Sequence, residues 1–233
     1  MIRTHEFNTA WWGNDVGIID DAMFFDQTDG ERQAQLAKYR WAEFHVESPA
    51  PELVRKMHDA RFVFGDAQME FRVRLADGGQ RTSSADKVDL QSAATKPFSV
   101  STSDVRAFEG DRFFLLPGVT MQRVEERYAL WTQRLIKESP AACLRASRDG
   151  KTQGWFLSAP SKKGLELTLA MLSKNATISG QLLYASALAE YARMGHTVGW
   201  AKYSYRHTAV ANIYASLGAR LTGVRETWLW IAR

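Results

Sequence analysis

The 233-residue sequence predicts an α/β fold in two parts, and three observations carry that prediction. In the last third an apolar run, Leu165 to Leu172, a polar turn, Ser173 to Gly180, and a helical segment, Gln181 to Met194, follow one another directly. A second run, Thr197 to Tyr203, a compact helix, Thr208 to Leu217, closed by Gly218, and an apolar finish at Trp230-Ile231 continue the alternation. In the first half, Phe44 and Val46 alternate with Glu43, His45 and Glu47, the period of a strand with one wet face. Finally, Arg148-Asp149-Gly150-Lys151 sits between two apolar runs, a strong hairpin signal.

Composition narrows the class. Hydrophobic content of 45% and charge of 24% are those of an ordinary globular chain. No apolar run approaches the roughly 18 residues that cross a bilayer, and the N-terminal residues do not resemble a secretory signal. A single cysteine, Cys143, excludes an internal disulfide or a thiolate metal cluster and fits a reducing, cytoplasmic setting. The net charge of +4 is scattered rather than clustered, which argues against nucleic acid as a partner. A mild positive field suits a small anionic substrate or an acidic carrier protein.

Taken in order, the first half offers apolar runs at Val16–Ile19, Trp41–Val46 and Met69–Leu75, with a helical segment, Pro51 to Ala60, between the last two. Arg72 and Arg74 alternate with Phe71, Val73 and Leu75. From Ala76 to Lys96 large apolar residues are scarce and Ser, Asp, Gly and Gln abound, so this stretch reads as a linker. The expected domains are therefore 1–95 and 96–233. The second begins with Val100 to Ala107 and a loop containing Arg112-Phe113-Phe114. A long helix, Met121 to Glu138, follows, with Val124, Tyr128, Trp131 and Leu135 at helical spacing and Pro140 as its stop. The hairpin strands are Ala142–Ala146 and Gly154–Ala159. The helix after the polar turn carries Tyr184, Ala187, Leu188 and Tyr191 as a buried stripe, and the next carries Val210, Ile213, Tyr214 and Leu217. Tyr214 thus faces inward, where a hydroxyl needs a partner.

The polar turn is the stretch with chemical promise. A turn feeding a helix N-terminus presents unpaired amides and the positive end of the helix dipole, which together favour an anion. Gly180 permits close approach of backbone to a ligand, and Ser179 or Thr177 is placed to cap the helix. The order strand, turn, helix, strand, helix, strand reads as a cofactor-phosphate site in an α/β sheet.

Two of these segments resemble a known superfamily. Gln181-Leu182-Leu183 with Ala187-Leu188-Ala189-Glu190-Tyr191-Ala192-Arg193-Met194-Gly195 is similar to the cofactor-binding helix of the GCN5-related N-acetyltransferases. Ala211-Asn212-Ile213-Tyr214-Ala215-Ser216-Leu217-Gly218-Ala219 resembles their closing helix. Phe7-Asn8, Trp11-Trp12-Gly13, Val16-Gly17, Trp41 to Val46, Ala60-Arg61-Phe62 and Asp111-Arg112-Phe113 resemble the branch that acetylates nucleotide-linked 4-amino-4,6-dideoxy sugars such as dTDP-fucosamine.

The resemblance implies a mixed, partly splayed sheet flanked by helices, with a smaller N-terminal α/β domain. It implies acetyl-CoA as cosubstrate, its pantetheine arm along Leu167 to Leu172, including Leu169, Ala170 and Met171. Its pyrophosphate would rest on Asn175, Thr177, Ile178, Ser179, Gly180 and Gln181, with Asn212 nearby. Ile178 stands where glycine is usual and would place a side chain near the pyrophosphate path. Tyr214 matches the tyrosine that protonates the departing thiolate. Glu166, His207 or a chain of waters would serve as base. Trp11, Trp12 and Arg112 would hold a nucleotide-sugar acceptor through stacking and phosphate contacts. No metal is implied. Alternatives are the same fold using an acyl-carrier protein or longer acyl-CoA on an amino acid, peptide or antibiotic intermediate, or a non-catalytic module. A homodimer is a further expectation, left open by the sequence.

Overall fold

The computed structural model describes residues 1–75 and 88–232. Their contacts divide the chain into two compact units, each assembled from separate segments. The first holds Met1–Gln68, Gly110–Thr120 and Gly223–Arg233; the second holds Met69–Glu109 and Met121–Thr222. The division falls inside two long strands, β4 (Val63–Arg74) and β10 (Arg220–Ile231).

In the first unit β1 (Ile2–Thr4) pairs antiparallel with β2 (Val16–Ile19), which runs parallel to β3 (Trp41–Glu47). β3 in turn pairs antiparallel with β10, Glu43 level with Leu229 and His45 with Thr227. Three α-helices among the described residues belong to the unit. α1 (Glu6–Trp12) ends at Gly13, whose φ of 81° closes the helix in the left-handed region that glycine enters freely. α2 (Asp29–Leu36) starts from a reciprocal capping box between Thr28 and Glu31, and α3 (Pro51–Asp59) starts on a proline that lacks only an already unpaired donor. Phe24, Phe25, Phe44, Met57, Phe62, Trp228 and Trp230 form its core.

The second unit has the strand order β4, β9 (Val198–Ser204), β8 (Gly164–Leu172), β7 (Lys151–Ser161), β6 (Cys143–Arg148), β5 (Asp89–Ser92). Among the described residues its α-helices are α4 (Met121–Glu138), α5 (Gly180–Arg193) and α6 (Thr208–Ser216). The stripe expected on α5 is buried throughout, packing Tyr184, Ala187, Leu188 and Tyr191 against Leu144, Phe156, Leu165 and Leu167. Tyr191 reaches across to donate its hydroxyl to the carbonyl of Ala142 at 2.7 Å. On α4 the buried face is Val124, Tyr128, Ala129, Thr132 and Leu135, so Trp131 lies at its margin rather than within it. The β6–β7 hairpin turns through Asp149 (φ 52°) and Gly150 (φ 73°), the paired positive values of the tight turn that matches strand twist.

Two expectations change. The described part of the stretch read as a linker contains β5, paired antiparallel with β6; residues 76–87 lie outside the described residues. Glu43, read as the wet face of a strand, is fully buried, because α1 and the 110–120 segment cover that face of β3 within the first unit. Among the described residues no helix is long and apolar enough to cross a membrane.

Candidate functional site

The polar turn is organised by a residue that the sequence did not flag. The register between β6 and β7 shifts between Ala146–Gly154 and Ser147–Thr152, leaving Gln153 unmatched. Such a bulge re-aims the extra side chain. Here the buried Gln153 accepts hydrogen bonds through Oε1 from the Thr177 amide at 2.7 Å and the Thr177 hydroxyl at 3.1 Å. Its backbone carbonyl accepts from the Ser173 amide at 2.8 Å. In the sequence Gln153 is only the last of three polar residues, Lys151-Thr152-Gln153, ahead of the apolar run Gly154 to Leu157, and nothing there sets it apart.

Ser179, not Thr177, caps α5, its hydroxyl accepting from the Leu182 amide at 3.1 Å. Among the described residues the amides of Gly180 and Gln181 make no hydrogen bond, which leaves two first-turn donors and the helix dipole facing outward. A side chain at Gly180 would press on Ile213 Cδ1 at 3.2 Å, so glycine lets the two helices approach closely here. Ile178 corrects an expectation: its side chain is buried in the core under α5 and does not lie along the outer surface of the turn.

Beside the turn, two parallel strands part company. β8 and β9 pair only over Leu165–Gly199, Glu166–Trp200 and Leu167–Ala201. Beyond them β8 continues through Thr168, Leu169, Ala170, Met171 and Leu172, and β9 through Lys202, Tyr203 and Ser204, without further pairs. The departure coincides with a second bulge. β7 matches Leu157 with Leu169 and Ser158 with Leu167, so Thr168 is the extra residue of β8. Leu169 to Leu172 therefore keep β7 on one side and have an open partner side on the other.

Where β9 has separated, a column of aromatic rings stands on the helix side of the sheet. Tyr203 stacks on Phe71 at 5.3 Å and on Tyr214 at 5.5 Å, the latter with an interplanar angle of 8°. Tyr184 meets Tyr214 edge-on at 5.2 Å. Burial raises the pKa of Tyr184 and of Tyr214, with the neighbouring phenols adding to it, and pushes Tyr203 up to about 12. All three phenols hold their protons at neutral pH.

The remaining expected residues fall in several places. Glu166 lies in the paired part of β8, level with Trp200, and projects from the face opposite Leu165 and Leu167. His207 is the residue before α6, its ring 4.4 Å from that of Phe108. Asn212 is exposed on α6, and Asn175 is exposed in the turn. Trp11, Trp12 and Arg112 belong to the first unit. Trp11 is a core side chain, edge-on to Phe113 at 5.0 Å and to Trp12 at 5.4 Å. Trp12 is half-buried, 6.1 Å from Trp41. Arg112 lies over Phe113, 4.5 Å from its ring, with its guanidinium 3.5 Å from Glu43.

Glu43 is the centre of a buried polar cluster in that first unit. Asn8 Nδ2 donates to it at 2.8 Å and His45 Nε2 lies 3.0 Å away, while His45 Nδ1 is 2.9 Å from Thr227 Oγ1. Burial alone would raise the carboxyl pKa. Arg112, the hydrogen bond from His45 and the charges of His45 and His5 together outweigh it and hold Glu43 well below the usual carboxylate range. Among the described residues no cluster of His, Cys, Asp and Glu is suited to a metal ion.

No family model matches the chain, and no curated protein matches it in sequence. Solved structures do match in shape. A functionally unknown conserved protein from Staphylococcus epidermidis superposes with a TM-score of 0.58 at 13% identity, covering 94% of this chain and 85% of the other. A tandem GCN5-related N-acetyltransferase (GNAT) protein from the clavulanic acid biosynthesis pathway gives 0.55 at 12% identity, over 95% and 76%. A GCN5-related N-acetyltransferase from Sphaerobacter thermophilus gives 0.54 at 12% identity, over 87% and 65%. The chain therefore has the mixed α/β fold of the GCN5-related N-acetyltransferases.

Proposed function

We propose that the second unit binds an acyl-CoA thioester, acetyl-CoA in the first instance, and transfers its acyl group directly to a primary amine. The observation that carries this reading is the early end of β8–β9 pairing beside a helix start with unsatisfied amides. The opening offers an extended polar arm the unpaired side of Leu169, Ala170 and Met171, and a backbone amide there can polarise the thioester carbonyl. Gly180 and Gln181 offer amides to the pyrophosphate, and Ile178, turned into the core, leaves their approach clear. Asn175, Ser179 and Asn212 line the same end of the unit.

Tyr214 is the proposed acid. Its phenol is protonated at neutral pH, and because the same burial that raises the phenol also disfavours a bare thiolate, whose conjugate acid in water lies near ~8.5, the departing sulfur becomes basic enough there to take the proton. Glu166, His207 or water would take the proton released by the amine. The acceptor we favour is the amino group of a nucleotide-linked amino-dideoxy sugar, on the strength of the N-terminal resemblance.

The test begins with thermal unfolding in the presence of acetyl-CoA. A ligand at about 100 times its dissociation constant adds roughly 2.7 kcal/mol. Tyr214→Phe should retain this stabilisation and lose turnover by about tenfold or more. Absence of any shift, confirmed by titration calorimetry, would remove the donor reading and favour a carrier-protein donor or a non-catalytic role.

A further inference from the structure

Tyr203 presents a buried hydroxyl with no partner. The residue is only 9% exposed, and among the described residues its Oη makes no hydrogen bond. A phenol taken out of water without a partner costs free energy, so tyrosines in such places normally reach one. Nearby Tyr191 does, donating to the carbonyls of Ala142 and Phe156. Tyr203 lies two residues past Ala201, the last residue of β9 to pair with β8. Since side chains alternate along a strand, it stands on the same face as Ala201, beside the opening and stacked on Tyr214.

Resting on the acyl-transfer reading above, we propose that Tyr203 is a second catalytic hydroxyl, which donates a hydrogen bond to the sulfur of the thioester and then to the departing thiolate. The division of labour balances. The amine nitrogen forms a bond to the carbonyl carbon, the C–S bond breaks, and the electron pair leaves on sulfur. Tyr214 gives its proton to that sulfur, and the proton shed by the nitrogen is taken by base or water and restores Tyr214. Tyr203 keeps its own proton throughout. Its contribution is a donor that strengthens as charge develops on sulfur, in a place where water is excluded.

The test compares Tyr203→Phe with wild type for binding of CoA and of desulfo-CoA, which lacks the sulfur, at about pH 9, where a thiol near pKa ~8.5 is largely ionised. Wild type should prefer CoA by about tenfold or more, the usual value of a hydrogen bond to a charged group, and Tyr203→Phe should lose most of that preference, Tyr214 retaining the remainder. The variant should also melt no lower than wild type, because it deletes an unpartnered hydroxyl, and its kcat should fall with little change in KM. An unchanged preference for CoA in folded Tyr203→Phe overturns this role while leaving the donor site standing. If wild type binds acetyl-CoA but shows no preference for CoA over desulfo-CoA, the role is likewise overturned. If wild type binds none of the three, both this role and the donor reading fall. A variant that melts clearly lower would show a native partner for the hydroxyl and would also overturn it.

Discussion

Gln153 Oε1 accepts two hydrogen bonds from one residue, the amide and the hydroxyl of Thr177, at 2.7 and 3.1 Å. A side chain expelled from the β6–β7 ladder by a bulge is thereby the clamp on the turn that opens α5. Thr177 is 24 residues away in the chain, so the clamp ties two segments that local propensity cannot bring together.

Gln153→Ala should therefore destabilise the protein by about 0.5–1.5 kcal/mol for each hydrogen bond lost, the exposed Thr177 donors turning to water. The measurement is the urea midpoint. On the proposed function, affinity for acetyl-CoA should fall as well, because the amides of Gly180 and Gln181 are aimed by this turn. A variant as stable as wild type would show that water replaces the clamp.

Glu43 makes stability depend on acid. Its folded pKa is depressed below the ordinary value near ~4.3, so the unfolded chain binds a proton first as pH falls. The stability it contributes is fully present above about pH 5 and is lost progressively as pH drops toward the folded pKa. Urea midpoints measured between pH 7 and pH 3 should decline, and the decline should be shallower in Glu43→Gln. At pH 7 Glu43→Ala should cost roughly 3–5 kcal/mol, since it removes the carboxylate on which Arg112, His45 and Asn8 converge.

Cys143 should be inert while the protein is folded. It is fully buried, and burial pushes its thiol up to about 11, so little thiolate is present near neutral pH. Labelling by a thiol-specific disulfide reagent at pH 8 should proceed only at the unfolding rate and become rapid in urea. Rapid labelling of the native protein would mean that the strand opens locally.

What the sequence made legible follows from periodicity. The stripes of α5 and α6, the Asp149-Gly150 hairpin and the alternation in the last third are local patterns, and each one appears in the fold; the two helices end within a residue of the reading, whereas the closing strand begins at Arg220, ten residues before the apolar finish at Trp230-Ile231. The stretch offered as a site, Leu169 to Gln181, is contiguous in the chain, and the structure shows there the open side of β8 and the capped start of α5. Legibility ends where long-range pairing decides. The period of β3 is real, yet Glu43 on its supposedly wet face is covered by segments far away in the chain. Gln153 and Thr168 matter because they fall out of register with their neighbours, and register is a property of two strands rather than one. Tyr203 looked like one more apolar strand residue until its neighbour strand turned away.

That turning away has a consequence for the chain before any ligand arrives. Past Leu167 and Ala201, β8 and β9 each carry an unfinished side in the middle of the sheet, where most proteins have none. Exposed strand edges are usually defended by lysine, proline or a bulge. Here one side carries the bulge at Thr168 and the other carries Lys202, with α5 and α6 closing over the face where Tyr203 stands. The opening thus carries at its two sides the features that elsewhere discourage strands from pairing: the extra residue Thr168 and a lysine, here paired with Glu70 at 2.9 Å.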